Sequence, residues 1–351
     1  MFGYNNHIVQ ADLQEITSAS IQWEAFQDKT ILVTGANGML ATYLVYTFLY
    51  LVEKKGLDIK IIALSRSLDK SRELYREFLD TPYFKILHQD ICDPIEYPGS
   101  VDYIYHFAGN ASPYYIKNDP VGIMKSNLLG TFNIMEFARC KENAKVIFAS
   151  TREVYGETSF NVLSEDNSFG KLNPLDNRSC YPESKRAAET ILKSYFIQYG
   201  VKSVIARIAH SYGPGMKIDN DGRVMSDFIC NAVHGRDITL MSDGSAVRSF
   251  CYLSDAILGL MRITLYGCVG EAYNLSNETE PKPIREIAEL ISRSFPERNI
   301  HLQTAEITKK KQEGYCNYPR VALDTRKVEK LGFAPQVSLE EGIVRTIKSF
   351  D

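Results

Sequence analysis

Thr30-Ile31-Leu32-Val33-Thr34-Gly35-Ala36-Asn37-Gly38-Met39-Leu40-Ala41 is the stretch that decides the fold. Its first five residues form a short apolar run of strand type, and from Met39 to Lys54 apolar residues recur with helical spacing. Two glycines punctuate the turn between them. Gly35 can take backbone angles closed to other residues, and Gly38 leaves room for a pyrophosphate to reach the main chain. A helix starting here offers unpaired N–H groups and a partial positive charge, while Ala41 is small enough for close helix–sheet packing. A glycine turn alone is weak evidence. At the first strand–helix junction of an alternating pattern, it points to a bound dinucleotide, with Gly35, Asn37, Gly38, Met39 and Leu40 as candidate contacts.

Outward from this junction the alternation continues. Strands are expected at Ile59–Leu64, Lys85–His88, Tyr103–Phe107, Lys145–Ser150 and Val201–Arg207, with helices at Ile123–Cys140 and Tyr181–Tyr199. Alternation of this kind predicts an α/β fold with a doubly wound parallel sheet covered on both faces. After Ile208 the pattern weakens into Gly and Pro clusters and shorter strands, which suggests a smaller C-terminal lobe. The expected division is an N-terminal arm at 1–28, a dinucleotide-binding domain at 29–207 and a mainly substrate-binding lobe at 208–351. Some late segments, such as Tyr252–Leu265, return to the main sheet. The first twenty-odd residues are polar without a strong period and read as an arm packed on the surface.

Bulk properties narrow the function. With 351 residues and 44% hydrophobic content, the chain can build a sizeable core. A net charge of −3 gives no general attraction to nucleic acid or to an anionic membrane. Seven scattered cysteines without a CxxC, and six histidines without ligand spacing, argue against a disulfide framework or a metal site, so a reducing cytoplasm is expected. Met1–Asp12 lacks a secretory signal pattern, and the apolar run Met39–Val52 is too short to span a bilayer and reads as a buried helix.

Strand two ends in Ser65-Arg66 where an acid would bind the adenosine ribose of NAD. Arg66 suits a 2′-phosphate, which favours NADP; stacking on adenine and plain solvation suit it equally. Asp90-Ile91 reads evenly as an adenine contact or an ordinary turn. Phe107 and Ala108 close the fourth strand and join the candidate cofactor contacts.

Tyr181 and Lys185 stand four apart and share one helix face. A free tyrosine, with a pKa of about 10, is too weak a base at neutrality. A lysine cation and an oxidised nicotinamide alongside lower it, so that a tyrosinate removes a hydroxyl proton as hydride leaves the same carbon. Strand five ends at Thr151, placed to hydrogen-bond the oxygen being oxidised, on the edge of a sheet where ligands collect.

With these residues in this order, the chain resembles the extended short-chain dehydrogenases/reductases that modify nucleotide sugars, whose core is a Rossmann-type sheet. Within them it looks most like the UDP-glucuronate decarboxylases. The resemblance runs from Lys29 onward through Ala111-Ser112-Pro113, Ser126-Asn127-Leu128-Leu129-Gly130-Thr131, Ser150–Gly156, Cys180–Arg186, Asp221-Gly222-Arg223-Val224, Arg248-Ser249-Phe250-Cys251-Tyr252 and the surroundings of Arg320. It implies NAD reduced and reoxidised in each cycle, with Thr151 and Tyr181 at the sugar's 4-hydroxyl. Lys185 would hold Tyr181 and the nicotinamide ribose, Glu153 and Arg320 would lie near the C5 carboxylate, and Arg248 at the diphosphate. Arg223, Tyr252 and His210 complete the candidate substrate contacts for a nucleotide sugar, expected to be UDP-linked. A homodimer through the helices around Ile123 and Tyr181 is implied as well. The chain departs from the family at Arg152, suited to clamping a carboxylate, at His210, where the family has Asn, and at Gly215, where it has Arg. A 4-epimerase needs the same Tyr, Lys and Thr; a 4,6-dehydratase would need an acid where Arg152 stands; a non-catalytic cofactor-binding protein would not need the Tyr–Lys pair.

Overall fold

The computed structural model describes residues 2–166, 168–219, 221–304 and 322–351. Seven parallel strands form the central sheet: β1 (Lys29–Thr34), β2 (Ile59–Ser65), β3 (Phe84–His88), β4 (Tyr103–His106), β5 (Lys145–Thr151), β6 (Lys202–Ile208) and β7 (Ala272–Leu275). Their order across the sheet is β7-β6-β5-β4-β1-β2-β3. The order reverses at β1, so the chain diverges on the two sides of a crevice between the carboxyl ends of β1 and β4, which is where such sheets bind ligands.

Alternation within each strand feeds both faces. Ile31 and Val33 of β1 enter one core cluster and Leu32 enters the other. The first face is covered by helices α1 (His7–Ser18), α2 (Met39–Lys55) and, from late in the chain, α8 (Leu253–Tyr266). The second is covered by α5 (Pro120–Arg139) and α6 (Cys180–Tyr199), which pack together and bury Ile134, Phe137, Ala188 and Leu192. Helices α3 (Leu68–Leu74) and α4 (Pro113–Asn118) flank the crevice loops. The lobe has its own core around α7 (Val224–Val233) and α9 (Ile284–Ser294), with the terminal helix Leu339–Lys348 against them.

Two expectations change. The N-terminal segment is no surface arm: α1 buries Val9, Leu13, Ile16 and even Asp12 between α2 and α8. Its polar residues disguised the period, because part of the polar set faces inward. The late return to the sheet is split between two elements. Residues 253–266 form a helix lying on the sheet, and the added strand is β7 further on.

Candidate functional site

The turn after β1 is built for close approach. Gly35 has φ +63, and a Cβ there would meet the Ala108 backbone at 2.9 Å. Gly38 caps α2 with its backbone alone, and Met39 and Leu40 open the helix. Asn37 secures the turn to β2, donating to Ser65 Oγ at 2.7 Å and accepting from Ser71 Oγ at 2.9 Å. Thr34 Oγ1 accepts from the amides of Phe107 and Ala108 at 3.2 and 3.1 Å, so the β1 and β4 ends are locked together. The same hydroxyl bonds His106 Nδ1 at 2.9 Å, and His106 Nε2 bonds Thr131 Oγ1 at 3.2 Å. Thr131 spends its one proton on the Asn127 carbonyl, so Nε2 must donate and Nδ1 must accept. His106 is accordingly neutral, its pKa pushed down to about 3 by burial and by the Lys185 charge.

Beside this lock lie groups with spare capacity. Asn127 donates to Ser184 Oγ at 2.8 Å, yet its buried Oδ1 has no partner. A Cβ on Gly109 would strike that oxygen and sit 3.6 Å from Lys185 Nζ. Lys185 is buried, donates to the Ala149 carbonyl at 2.8 Å and lies 4.5 Å from the centroid of the Phe148 ring. Burial lowers its pKa to about 8 against the pull of Glu189. An orphaned acceptor, an ammonium group and bare backbone at Gly35, Gly38 and Gly109 therefore converge at the carboxyl ends of β1, β4 and β5. That donor set fits a dinucleotide with an amide and hydroxyl-bearing end.

Tyr181 sits at the first turn of α6, buried against Ile116 and Ile123 with its phenol beside the Thr151 hydroxyl. Burial and the Glu153 carboxylate push its pKa up, while the Thr151 hydrogen bond, Arg223 and Arg178 pull it down. Thr151 itself caps the next turn by accepting from Glu153 N at 3.2 Å. Glu153 pairs with Arg178 at 3.4 Å, a partner the sequence did not suggest.

In strand register Thr151 faces Ile208, so the chain leaves β5 and β6 at the same rim, where the Arg152 charge acts on His210. His210 takes φ +46, packs on Phe250 at 5.6 Å between ring centroids, and has the charges of Arg152, Arg248 and Arg223 around it. His210 is exposed, and its pKa is pushed down, first by desolvation and then by those guanidinium groups. Arg223 also pairs with Asp221, whose carboxylate takes a bond from Ser226 at 3.0 Å.

The other expected contacts have partners of their own in this structure. Tyr252 is fully buried and donates to Asp12 Oδ2 at 2.7 Å, facing the N-terminal helix instead of the crevice. Arg248 belongs to a separate short strand, Val247–Arg248, and its charge acts on His210. Asp90 serves its own turn, accepting from Cys92 N at 2.9 Å, and Ile91 packs on Gly130. Arg66 is exposed at the end of β2 and touches its surroundings through its carbonyl, which bonds His88 Nε2 at 3.1 Å. Gly215 is backed by the Phe2 ring, which fills the space a side chain there would need. Arg320 lies outside the described residues. Sequence reading missed His106, Gly109 and Asp12 as supports; Asn127 was within a quoted motif but had no role.

Residues 31–276 match the model of the NAD dependent epimerase/dehydratase family. The chain belongs to this family. Among curated members it is 34% identical over 313 residues to UDP-glucuronic acid decarboxylase 6 of Arabidopsis thaliana, covering 89% of this chain and 86% of that protein. It is 34% identical over 324 residues to UDP-glucuronic acid decarboxylase 1 of Danio rerio, covering 92% and 72%. Solved structures share the fold of this epimerase/dehydratase member at lower identity. The UDP-glucose 4-epimerase of Thermotoga maritima superposes with TM-score 0.75 at 21% identity over 92% of this chain and 98% of that one. The UDP-glucuronic acid 4-epimerase of Bacillus cereus, solved with NAD, gives 0.74 at 21% identity over the same shares.

Proposed function

We propose that this chain holds NAD and a UDP-linked hexuronic acid in the crevice and removes carbon dioxide from the sugar, leaving the pentose. The observation that carries the reading is the meeting of Tyr181, Thr151 and Lys185 at the ends of β5 and α6, beside the orphaned Asn127 oxygen. The curated relatives named as UDP-glucuronic acid decarboxylases support the choice of substrate. The dinucleotide would rest on Gly35, Asn37, Gly38, Met39 and Leu40, with Phe107, Ala108, Asn127 and Lys185 at its far end. NAD there supplies a reversible hydride acceptor for C4.

The chain's own groups manage protons and charge. Tyr181 takes the proton from the 4-hydroxyl, and Thr151 holds that oxygen in place. The resulting C4 ketone lies β to the C5 carboxylate, so the C5–C6 bond can break with its electron pair passing to O4. Thr151 and the protonated Tyr181 donate to the enolate; such donors are typically worth ~3 kcal/mol. C5 then takes up a proton, and Tyr181 returns its proton to O4 as the hydride comes back to C4, which leaves the pentose and restores NAD. Arg248 and Arg223 suit the diphosphate, and Arg152 the carboxylate.

A second reading has a specific observation behind it. Arg152 has no acidic partner among the described residues, and a guanidinium clamp stabilises a carboxylate more than departing carbon dioxide. That favours keeping the carboxylate and inverting C4. One experiment separates the two. Incubation with UDP-glucuronate followed by proton NMR is expected to show UDP-xylose and released carbon dioxide. UDP-galacturonate alone would establish the epimerase reading, and unchanged substrate at micromolar enzyme would remove both.

The partner and compartment belong to the same proposal. Val121, Met124, Leu129 and Phe132 on α5 and Ile197 on α6 are exposed, an apolar surface suited to a second copy of the chain. The six described cysteines are free thiols, which suits a reducing cytoplasm, and no helix of the described residues is long and apolar enough to cross a membrane.

A further inference from the structure

We propose that Asp12 is a positioning residue: its buried carboxylate, carried by the N-terminal helix, fixes the cofactor helix and the sugar lobe relative to one another. Asp12 has no exposed surface. Its Oδ2 accepts from the Tyr43 phenol at 2.5 Å and from the Tyr252 phenol at 2.7 Å, and its Oδ1 accepts from Arg345 Nη1 at 2.7 Å. One carboxylate thus gathers three segments that lie 31, 240 and 333 residues away in sequence.

The origin of the two phenols matters more than their number. Tyr43 stands one helical turn after Met39, so it anchors the end of α2 whose free amides face the crevice. Tyr252 stands four residues after Arg248, on a strand paired in parallel with Ser211–Tyr212, the residues directly following His210. The two crevice walls therefore meet on a single oxygen behind the site. The segment crosses both walls a second time. Phe2 packs on Tyr46 of α2 at 6.0 Å between ring centroids and also fills the space beside Gly215 in the lobe.

Stability alone does not account for this choice. A buried ion pair contributes little net stability compared with well-packed apolar side chains, whereas its hydrogen bonds admit one geometry. Arg345 is held in its turn by Glu15 at 2.7 Å and by Glu341, so the guanidinium group reaching Asp12 is pre-aimed. Removing the Asp12 carboxylate frees both walls at once, and removing the Tyr252 hydroxyl frees the lobe alone.

The inference rests on the proposed function only for the choice of ligand. The full-length protein with its resident cofactor is compared with Asp12→Asn and Tyr252→Phe, the second being the milder change should the first not fold. UDP binding by calorimetry is expected to weaken about fivefold or more in Tyr252→Phe, a loss of the size of one hydrogen bond. For UDP-glucuronate the KM rises to a similar extent while kcat stays within about twofold. Hydrogen exchange is expected to quicken at residues 248–252 in both variants, and at residues 39–43 in Asp12→Asn. Faster exchange confined to residues 7–18, with wild-type exchange at both distant segments, overturns the positioning role. If the wild-type protein leaves UDP-glucuronate unchanged, the functional reading falls, and the exchange pattern by itself decides the role of Asp12.

Discussion

Tyr181 shows how far a single residue can be understood before its surroundings are known. Its spacing from Lys185, and Thr151 at the end of a strand, were visible because helix and strand periods place them without tertiary information. The balance of forces on its phenol was not visible. Burial and Glu153 hold the proton on, and the opposing cations are Arg178, just before α6, and Arg223, which comes from a distant part of the chain. Replacing Tyr181 by Phe keeps the ring against Ile116 and Ile123 and removes the proton acceptor. The expected outcome is a fall in kcat of about 10²–10⁴-fold with UDP affinity preserved, checked by steady-state kinetics alongside calorimetry. Tyr252 makes the opposite point. It lies in a matching motif next to the crevice, but its hydroxyl is spent on Asp12 of the N-terminal helix.

At the scale of elements, β4 and α5 are joined through His106, which sits between Thr34 and Thr131 with no exposed surface. Both elements are apolar enough to be placed from sequence, within a few residues of their observed ends. Their cross-link is a polar contact between segments far apart in the chain, so no local period announces it. It has a pH signature. The folded-state pKa of about 3 lies below the ordinary value of 6.5, so the unfolded chain binds a proton that the folded chain refuses. Stability from this group is complete above pH 6.5 and is lost as pH falls toward 3, at about 1.4 kcal/mol per pH unit. Urea unfolding midpoints between pH 7 and pH 5 are expected to fall more steeply for the wild-type protein than for His106→Asn.

At the scale of the whole molecule, the sheet order brings the ends of β1, β4, β5 and β6 to one crevice. The N-terminal helix closes the back of it, and α5 and α6 turn an apolar surface outward. If that surface is covered by a second copy, a charge placed on it blocks pairing without touching the core. Phe132, nearly half exposed, is the position to use. Phe132→Glu is expected to shift the mass measured by light scattering from dimer to monomer while the circular dichroism spectrum stays unchanged.

The amino-acid sequence by itself determined the alternating parallel sheet, the glycine turn at the first helix and the Tyr181–Lys185–Thr151 set, because each is written in residue spacing within one or two neighbouring elements. Only the tertiary structure decided that Asp12 is buried, that Tyr252 faces away from the crevice, that Arg152 and His210 share its rim, and that Asn127 keeps an unpaired oxygen there. Those facts depend on which side chains from distant segments arrive at the same point, and on which polar groups lose their water when they do.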